Sequence, residues 1–399
     1  MTYSKIEKYF SSILVLLPAL NVYKSFIPSV ELGTFLILLC DILFMFGKRK
    51  LTHIGVDSWW IALIVLFGVL TIIADMMIGH NSSEEFGIIM RFLKIVIIVL
   101  SICIIGKSHV DYARSVKTLE IFALASAVFL FVQYVANFAG LRLMGVYAPL
   151  TSAEGYADYD FDTMYSILFR PSAFFFEPSH FATYMSVYLS YLLSHDFISK
   201  RRLKLAVCIL AILLSTSGTG YVLLLILVIA SILFSRFDSN KNKTSSVKYL
   251  FYSVIIFTAV YYFMTSTDIG TSSMARLIGE DGGLGASTSG RIESGAADLF
   301  AALPESYRWI GCGFGFRPDT VYFPSLYALL YGDGYIGLGF FILLLLAYFV
   351  KSTTFGRLLI LSYGVLMVGT GVFNFASIGL FFSLICYETN NKKILKYEG

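Results

Sequence analysis

Residues 58–78 read SWWIALIVLFGVLTIIADMMI, and this stretch decides the fold class. It contains one charged side chain, Asp75, and is otherwise mostly apolar or aromatic. A helix of about 20 mainly apolar residues is long enough to cross the hydrocarbon core of a bilayer. The stretch therefore predicts a membrane-spanning helix.

The rest of the chain has the same character. Of its 399 residues, 57% are hydrophobic and only 14% are charged, and the mean hydropathy is +0.76. A soluble core could not bury this much apolar surface, so lipid is the expected solvent for most of the chain. The formal charge of +4 does not indicate nucleic acid, because the basic residues are spread among loops rather than gathered on one face.

Twelve apolar runs predict an all-α polytopic membrane protein with about twelve transmembrane helices in one domain, residues 1–399. The runs lie at 11–28, 30–46, 58–78, 87–105, 118–139, 174–194, 205–217, 219–235, 249–265, 324–350, 358–372 and 373–388. The pairs 205–217 with 219–235 and 358–372 with 373–388 are short and joined by Gly-containing turns. Each pair is either two spans or a re-entrant hairpin.

The distribution of basic residues predicts the orientation, because Lys and Arg collect on the cytoplasmic side. With the N-terminus inside, most of the 30 Lys and Arg residues fall on inner segments, so both termini are expected in the cytoplasm. Two outer segments, 140–173 and 266–323, are longer than connectors need to be. Long ordered loops usually carry function.

No metal or cofactor is expected from the sequence. The five cysteines show no zinc-binding spacing. Asp158, Asp160 and Asp162 alternate like the start of a calcium loop, but the Gly and Glu that should follow are missing. A solvated acidic loop explains them better.

The most informative polar stretch is RPSAFFFEPSH at residues 170–180. It places Arg170 and Glu177 where the chain enters the sixth predicted span from outside. A carboxylate among Phe and Pro residues at a membrane entrance is costly to desolvate, which makes Glu177 a functional candidate. The alternative is a structural Glu–Arg pair that fixes the start of the helix.

Three patches in this order resemble the O-antigen polymerase and ligase superfamily of bacterial surface polysaccharides. They are the Arg-Pro-Ser-x-Phe-x-Glu-Pro-Ser-like pattern at 170–179, Ser289-Gly290-Arg291, and WIGCGFG at 309–315 followed by Gly334-Tyr335-Ile336-Gly337. Ligases of that superfamily carry a His-Asn pair shortly before the Gly-x-x-Gly helix, where this chain has Phe323-Pro324. The resemblance is therefore closer to a polymerase, with a ligase as the alternative.

The resemblance implies a GT-C-like, metal-independent glycosyltransferase in the bacterial inner membrane. Such an enzyme transfers a growing glycan from undecaprenyl pyrophosphate to a new lipid-linked repeat unit at the outer leaflet. The implied partners are the undecaprenyl pyrophosphate-linked oligosaccharide, the surrounding lipid and, as a further candidate, a polysaccharide chain-length regulator.

This chemistry needs cations that stabilise the leaving pyrophosphate and a group that orients or deprotonates the attacking hydroxyl. Arg170 and Arg291 in the outer segments are candidates for the first role. Arg91 and Lys94 are also candidates, because a spacing of three places them on one helix face; the alternative is that they only extend to the interface.

Glu177 is the first candidate for the hydroxyl-orienting or basic role, and Asp333 is the second. His180, beside the Glu-Pro-Ser patch, is a candidate for substrate binding, although a lone His at a helix start more often serves a hydrogen bond.

A transporter or flippase is the competing function from a different class, because transporters also have about twelve spans and buried charges. Against it, the sequence shows no evident inverted repeat, and its polar residues concentrate in the two outward segments.

Overall fold

The computed structural model describes residues 3–27, 30–45, 58–79, 82–102, 110–146, 150–151, 169–195, 198–237, 262, 266, 271, 295–316, 318 and 321–395. Within these ranges the regular secondary structure is helical, apart from two isolated β-bridges, Tyr23 with Thr151 and Lys24 with Glu31. The predicted all-α class is confirmed.

Thirteen helices can be assigned in the described ranges. They are α1 (Tyr3–Leu20), α2 (Leu32–Met45), α3 (Ser58–Ile78), α4 (Ser82–Leu100), α5 (Tyr112–Phe138), α6 (Pro178–Ser194), α7 (Arg201–Leu214), α8 (Gly218–Phe237), α9 (Ala296–Ala301), α10 (Glu305–Ile310), α11 (Ser325–Lys351), α12 (Thr354–Gly369) and α13 (Phe375–Leu395). The short helices α9 and α10 lie inside the predicted outer segment 266–323.

Three helices in the described ranges are long and apolar enough to cross a membrane: Trp59–Ile78, Tyr112–Phe138 and Ser325–Lys351. Shorter apolar helices lie at Leu32–Phe44, Gly218–Phe234, Thr354–Gly369 and Phe375–Glu388. The predicted run 249–265 lies outside the described residues except for Tyr262. The figure of twelve spans therefore stays a prediction.

The first helix differs from its predicted position of 11–28, because α1 begins and ends about eight residues earlier. The predicted run begins at 11 because Lys5 and Lys8 interrupt the apolar sequence before it. A helix can include these lysines, because it needs only one apolar face to pack. The chain leaves the helix at Asn21, whose side-chain oxygen accepts a hydrogen bond from the backbone N–H of Thr34 in α2 (3.1 Å).

Helix α3 shows why the surroundings must be apolar. One face packs inward with Trp60 and Phe67, each 1% exposed. The other face exposes Val65, Ile72 and Met76, the last at 83%. Contiguous apolar surface of this kind is not stable in water and is suited to a bilayer.

One end of the helical bundle is tied together at Glu388, which is 1% exposed. Its two carboxylate oxygens accept hydrogen bonds from the Tyr112 hydroxyl at the start of α5 and the Thr353 hydroxyl just before α12. We refer to it as the Glu388 end. With the N-terminus inside, the predicted runs place the connections 106–117 and 351–357 in the cytoplasm, and Glu388 ends the last run.

At the opposite end α1, α5 and α12 finish, and α6, α11 and α13 begin. We call it the Asn374 end, after the residue that precedes α13. The candidates Arg170, Glu177, His180 and Asp333 lie within about two to three helical turns of these helix ends. Arg91 and Lys94 lie further along a neighbouring helix, α4. The fold therefore gathers the candidates at one end of the bundle.

Candidate functional site

Two adjoining cavities open at the Asn374 end. The first, of about 390 Å³, is lined by Arg91, Lys94 and Asp333, and we call it the basic cavity. The second, of about 530 Å³, is lined by Glu177 and His180, and we call it the Glu177 cavity. Both volumes fall within the roughly 300–1,000 Å³ typical of ligand sites.

The two cavities share part of their walls. The residues that line both are Asn21, Gly371, Asn374 and Ala376. The fold thus brings five of the seven candidates from the sequence into one continuous region, although they are spread over three distant segments of the chain.

In the basic cavity, Lys94 is already neutralised. Its Nζ lies 2.8 Å from Glu31 Oε1, and the other oxygen of Glu31 accepts a hydrogen bond from Thr34 Oγ1 at 3.0 Å. Arg91 packs against Gly315, where an added Cβ would lie 3.0 Å from the Arg91 Nε. A side chain at position 315 would therefore displace Arg91.

The floor of the basic cavity is a break in α11. Gly334 has φ 65° and ψ −168° in the middle of the helix, a backbone conformation confined essentially to glycine. The carbonyl groups of Tyr331 and Gly332 accept hydrogen bonds from the backbone N–H groups of Cys312 (2.8 Å) and Gly313 (3.0 Å). The glycine-rich segment 311–315 thus satisfies part of the backbone at the break.

The sequence shows only that the patch 309–315 precedes the patch 334–337 along the chain. In the structure the two patches are in direct contact. An added Cβ at Gly311 would lie 2.1 Å from the Gly332 carbonyl oxygen, and one at Gly334 would lie 2.2 Å from the Trp309 carbonyl oxygen. Glycine is required at both positions because backbone meets backbone.

Asp333 lies directly before the break and is 1% exposed. Its Oδ1 atom has no hydrogen-bond partner among the described residues. A buried carboxyl oxygen without a partner is costly, and in a native protein it calls for an explanation such as a functional role.

Cys312, which belongs to the predicted outer segment 266–323, is buried against α11. Burial raises the pKa of its thiol to about 11, partly opposed by a hydrogen bond with Tyr331. Burial therefore favours the protonated thiol near neutral pH.

In the Glu177 cavity, Glu177 is the residue that precedes α6, and its backbone is extended at φ −128° and ψ 149°. Pro178 follows at the first helical position, where its missing N–H and fixed φ suit the helix start. The Glu177 Oε2 accepts a hydrogen bond from Ser179 Oγ at 2.8 Å. The helix start thus fixes the carboxylate at the cavity wall.

The wall between the cavities is the connection from α12 to α13, residues 370–374, and Ser325 holds it in place. Ser325 is 2% exposed. Its hydroxyl donates to the Thr370 carbonyl (2.9 Å) and accepts from the Phe373 N–H (2.8 Å), while its own N–H also donates to Thr370 (3.0 Å).

Ser325→Ala is expected to lower the thermal unfolding midpoint of the purified protein, because it leaves the partly buried N–H of Phe373 without its partner, at a cost of up to about 1–3 kcal/mol. The matched control is Ser362→Ala. Ser362 is equally buried, but its hydroxyl bonds only to the Leu358 carbonyl of its own helix. Equal midpoints for the two variants would show that Ser325 does not hold the wall.

The two remaining candidates are placed differently. Arg170 belongs to a segment that packs on the end of α5, where the Ala173 N–H donates to Gln133 Oε1 (2.9 Å) and Phe169 contacts Tyr134 edge-on. Arg170 is not among the described residues that line either cavity. Arg291 lies outside the described residues.

Sequence reasoning missed three residues of the site: Asn21, Ser325 and Tyr184. Asn21 is a polar residue inside the predicted run 11–28 and Ser325 is one at the start of the run 324–350, and this polarity is the signal that could have drawn attention to them. Tyr184 gave no signal, because aromatic residues are abundant throughout the chain.

Within the described ranges, no three His, Cys, Asp or Glu side chains form a group able to hold a metal ion, so no metal ligands can be named. No protein-family model matches this chain, and no curated protein sequence matches it either. The residues of the site, together with the three sequence patches that resemble the O-antigen polymerase and ligase superfamily, are therefore the indications of function.

Proposed function

We propose that this chain is a polymerase of lipid-linked oligosaccharide repeat units, a glycosyltransferase of the O-antigen polymerase type. The observation that carries the proposal is the pair of adjoining cavities, one with Arg91 and Asp333, the other with Glu177 and His180. A transfer between two large lipid-linked substrates requires two neighbouring binding places with different chemistry, and the pair meets that requirement.

In the proposed reaction, the acceptor hydroxyl oxygen bonds to the anomeric carbon of the glycan as the bond from that carbon to the pyrophosphate oxygen breaks. Glu177 orients the hydroxyl and takes its proton. Undecaprenyl pyrophosphate leaves with the bonding electrons, and cationic side chains offset its charge. Arg91 is our first candidate for this role, and Arg291 in the outer segment 266–323 is the second.

The proposal includes the location of the site. We place the chain in the bacterial inner membrane as a multi-pass protein, with the Asn374 end facing outward and both termini in the cytoplasm. The uncovered apolar face of α3 supports the location in a membrane. The concentration of Lys and Arg on segments assigned to the Glu388 end supports the orientation. A chain-length regulator remains a proposed partner.

The test is incubation of the purified protein with the lipid-linked repeat unit, with and without a chelator, followed by gel separation of the glycans. We expect a ladder of polymers that the chelator leaves unchanged. Repeat units that stay single under both conditions would refute the polymerase function.

Deletion of the gene in cells distinguishes a polymerase from the ligase alternative. Loss of a polymerase leaves single repeat units on the acceptor, whereas loss of a ligase leaves polymer on its carrier.

A transporter is the second candidate, and the break in α11 is the observation that favours it. Discontinuous helices form the substrate and ion sites of many transporters, and ionisable residues inside spans mark such pathways. Asp333 and Gly334 fit that description. Movement of the lipid-linked unit across proteoliposomes without bond formation would support the transporter and exclude the polymerase.

A further inference from the structure

Tyr184, on the second turn of α6, lines the Glu177 cavity and has a buried hydroxyl with which no described residue forms a hydrogen bond. The side chain is fully buried, and its hydroxyl oxygen has no hydrogen-bond partner among the described residues. The ring is held between Phe122 and Phe175, with centroid separations of 5.3 Å and 5.4 Å. The hydroxyl is therefore fixed in position beside the cavity.

A buried tyrosine hydroxyl usually finds a partner, because leaving one unpaired is costly. A phenylalanine at position 184 would pack in the same place without that cost. Since Tyr184 belongs to the cavity wall, a ligand bound in the cavity is the candidate for the missing partner of its hydroxyl.

The other residues of the cavity indicate the class of ligand. Phe176 and Tyr322 offer aromatic rings, and Thr183 and Asn374 offer neutral hydrogen-bonding groups, beside the single carboxylate of Glu177. Neutral polar groups interspersed with aromatic rings suit a ligand with many hydroxyl groups and an apolar ring face, as a saccharide has. The cations of the candidate site line the other cavity.

We propose that the Glu177 cavity is the saccharide subsite and that the Tyr184 hydroxyl hydrogen-bonds a sugar residue bound there. This inference rests on the proposed glycosyltransferase function. It assigns the glycan to the Glu177 cavity and leaves the pyrophosphate to the basic cavity.

Tyr188 provides a matched control one helical turn further along α6. It is also fully buried, and its hydroxyl also lacks a partner among the described residues, but it does not line either cavity. Removing either hydroxyl deletes no protein hydrogen bond in the described part of the chain. Both Tyr184→Phe and Tyr188→Phe should therefore unfold at or above the wild-type temperature.

The experiment titrates purified wild type, Tyr184→Phe and Tyr188→Phe with one probe: the oligosaccharide released by mild acid from the lipid-linked repeat unit of the source cells. We expect Tyr184→Phe to weaken binding about three- to tenfold, the effect of one lost neutral hydrogen bond. Tyr188→Phe should bind as the wild type does.

Three results would overturn the assignment: wild-type affinity in Tyr184→Phe, an equal loss in Tyr188→Phe, or no binding of the probe by the wild type. The readout is independent of polymerisation. If binding depends on Tyr184 but no polymer forms, the saccharide subsite is upheld and the polymerase function is refuted. If polymer forms but Tyr184→Phe binds the probe as the wild type does, the polymerase function is upheld and the saccharide subsite is refuted.

Discussion

Gly334→Ala is expected to prevent accumulation of stably folded protein. The substitution forces a side chain into a backbone conformation confined essentially to glycine, which costs about 1–3 kcal/mol. It also sets the new Cβ 2.2 Å from the Trp309 carbonyl oxygen and 2.7 Å from the Gly311 nitrogen. Both obstacles are backbone atoms that cannot rotate away, so α11 must separate from the 309–315 segment.

The measurement is the yield and thermal unfolding midpoint of the protein after extraction in detergent. Gly339→Ala is the matched control, because position 339 lies in the same helix and an added Cβ there meets no atom within 4 Å. We expect the control to equal or exceed the wild type, since alanine favours a helix over glycine. A Gly334→Ala protein with the wild-type midpoint would mean that α11 is not broken at this position.

Glu177→Gln is expected to give the largest loss of activity, about 10²- to 10⁴-fold in polymerisation rate, as for removal of a general base. The amide oxygen can still accept the hydrogen bond from Ser179, and the backbone that precedes α6 is unchanged. The unfolding midpoint should therefore stay near that of the wild type. A loss of rate with no loss of stability separates a chemical role from a structural one.

The control for this variant is Glu305→Gln. Glu305 is an exposed acid at the start of α10 and lines neither cavity. It should polymerise at the wild-type rate. Normal polymer length and rate in Glu177→Gln would refute the assignment of Glu177.

The sequence predicted the helices well because apolar runs report directly on burial in lipid or protein. It could not predict the break in α11, since Asp333 is the one charged residue in the run 324–350 and the glycines of the run fit a smooth helix equally well. The break depends on Gly311 and Gly313, whose segment is close enough for backbone hydrogen bonds only in the folded protein.

The same limit applies to the site. The spacing of Arg91 and Lys94 predicts a shared helix face, and both do line the basic cavity. The neutralisation of Lys94 by Glu31, 63 positions away, is a long-range contact that spacing cannot show. Arg170 is a candidate for binding pyrophosphate because it is an arginine in an outer segment, yet the residues on either side of it pack on α5 and it lines neither cavity.

The central claim is that the two cavities face the outside of the cell, and cysteine labelling tests it most directly. His180→Cys marks the Glu177 cavity and Lys351→Cys marks the opposite end, each as the single cysteine in a protein whose native cysteines are replaced by alanine. Both positions are exposed. We predict that a membrane-impermeant maleimide labels position 180 in intact spheroplasts and position 351 only after permeabilisation. The reverse pattern would contradict the account.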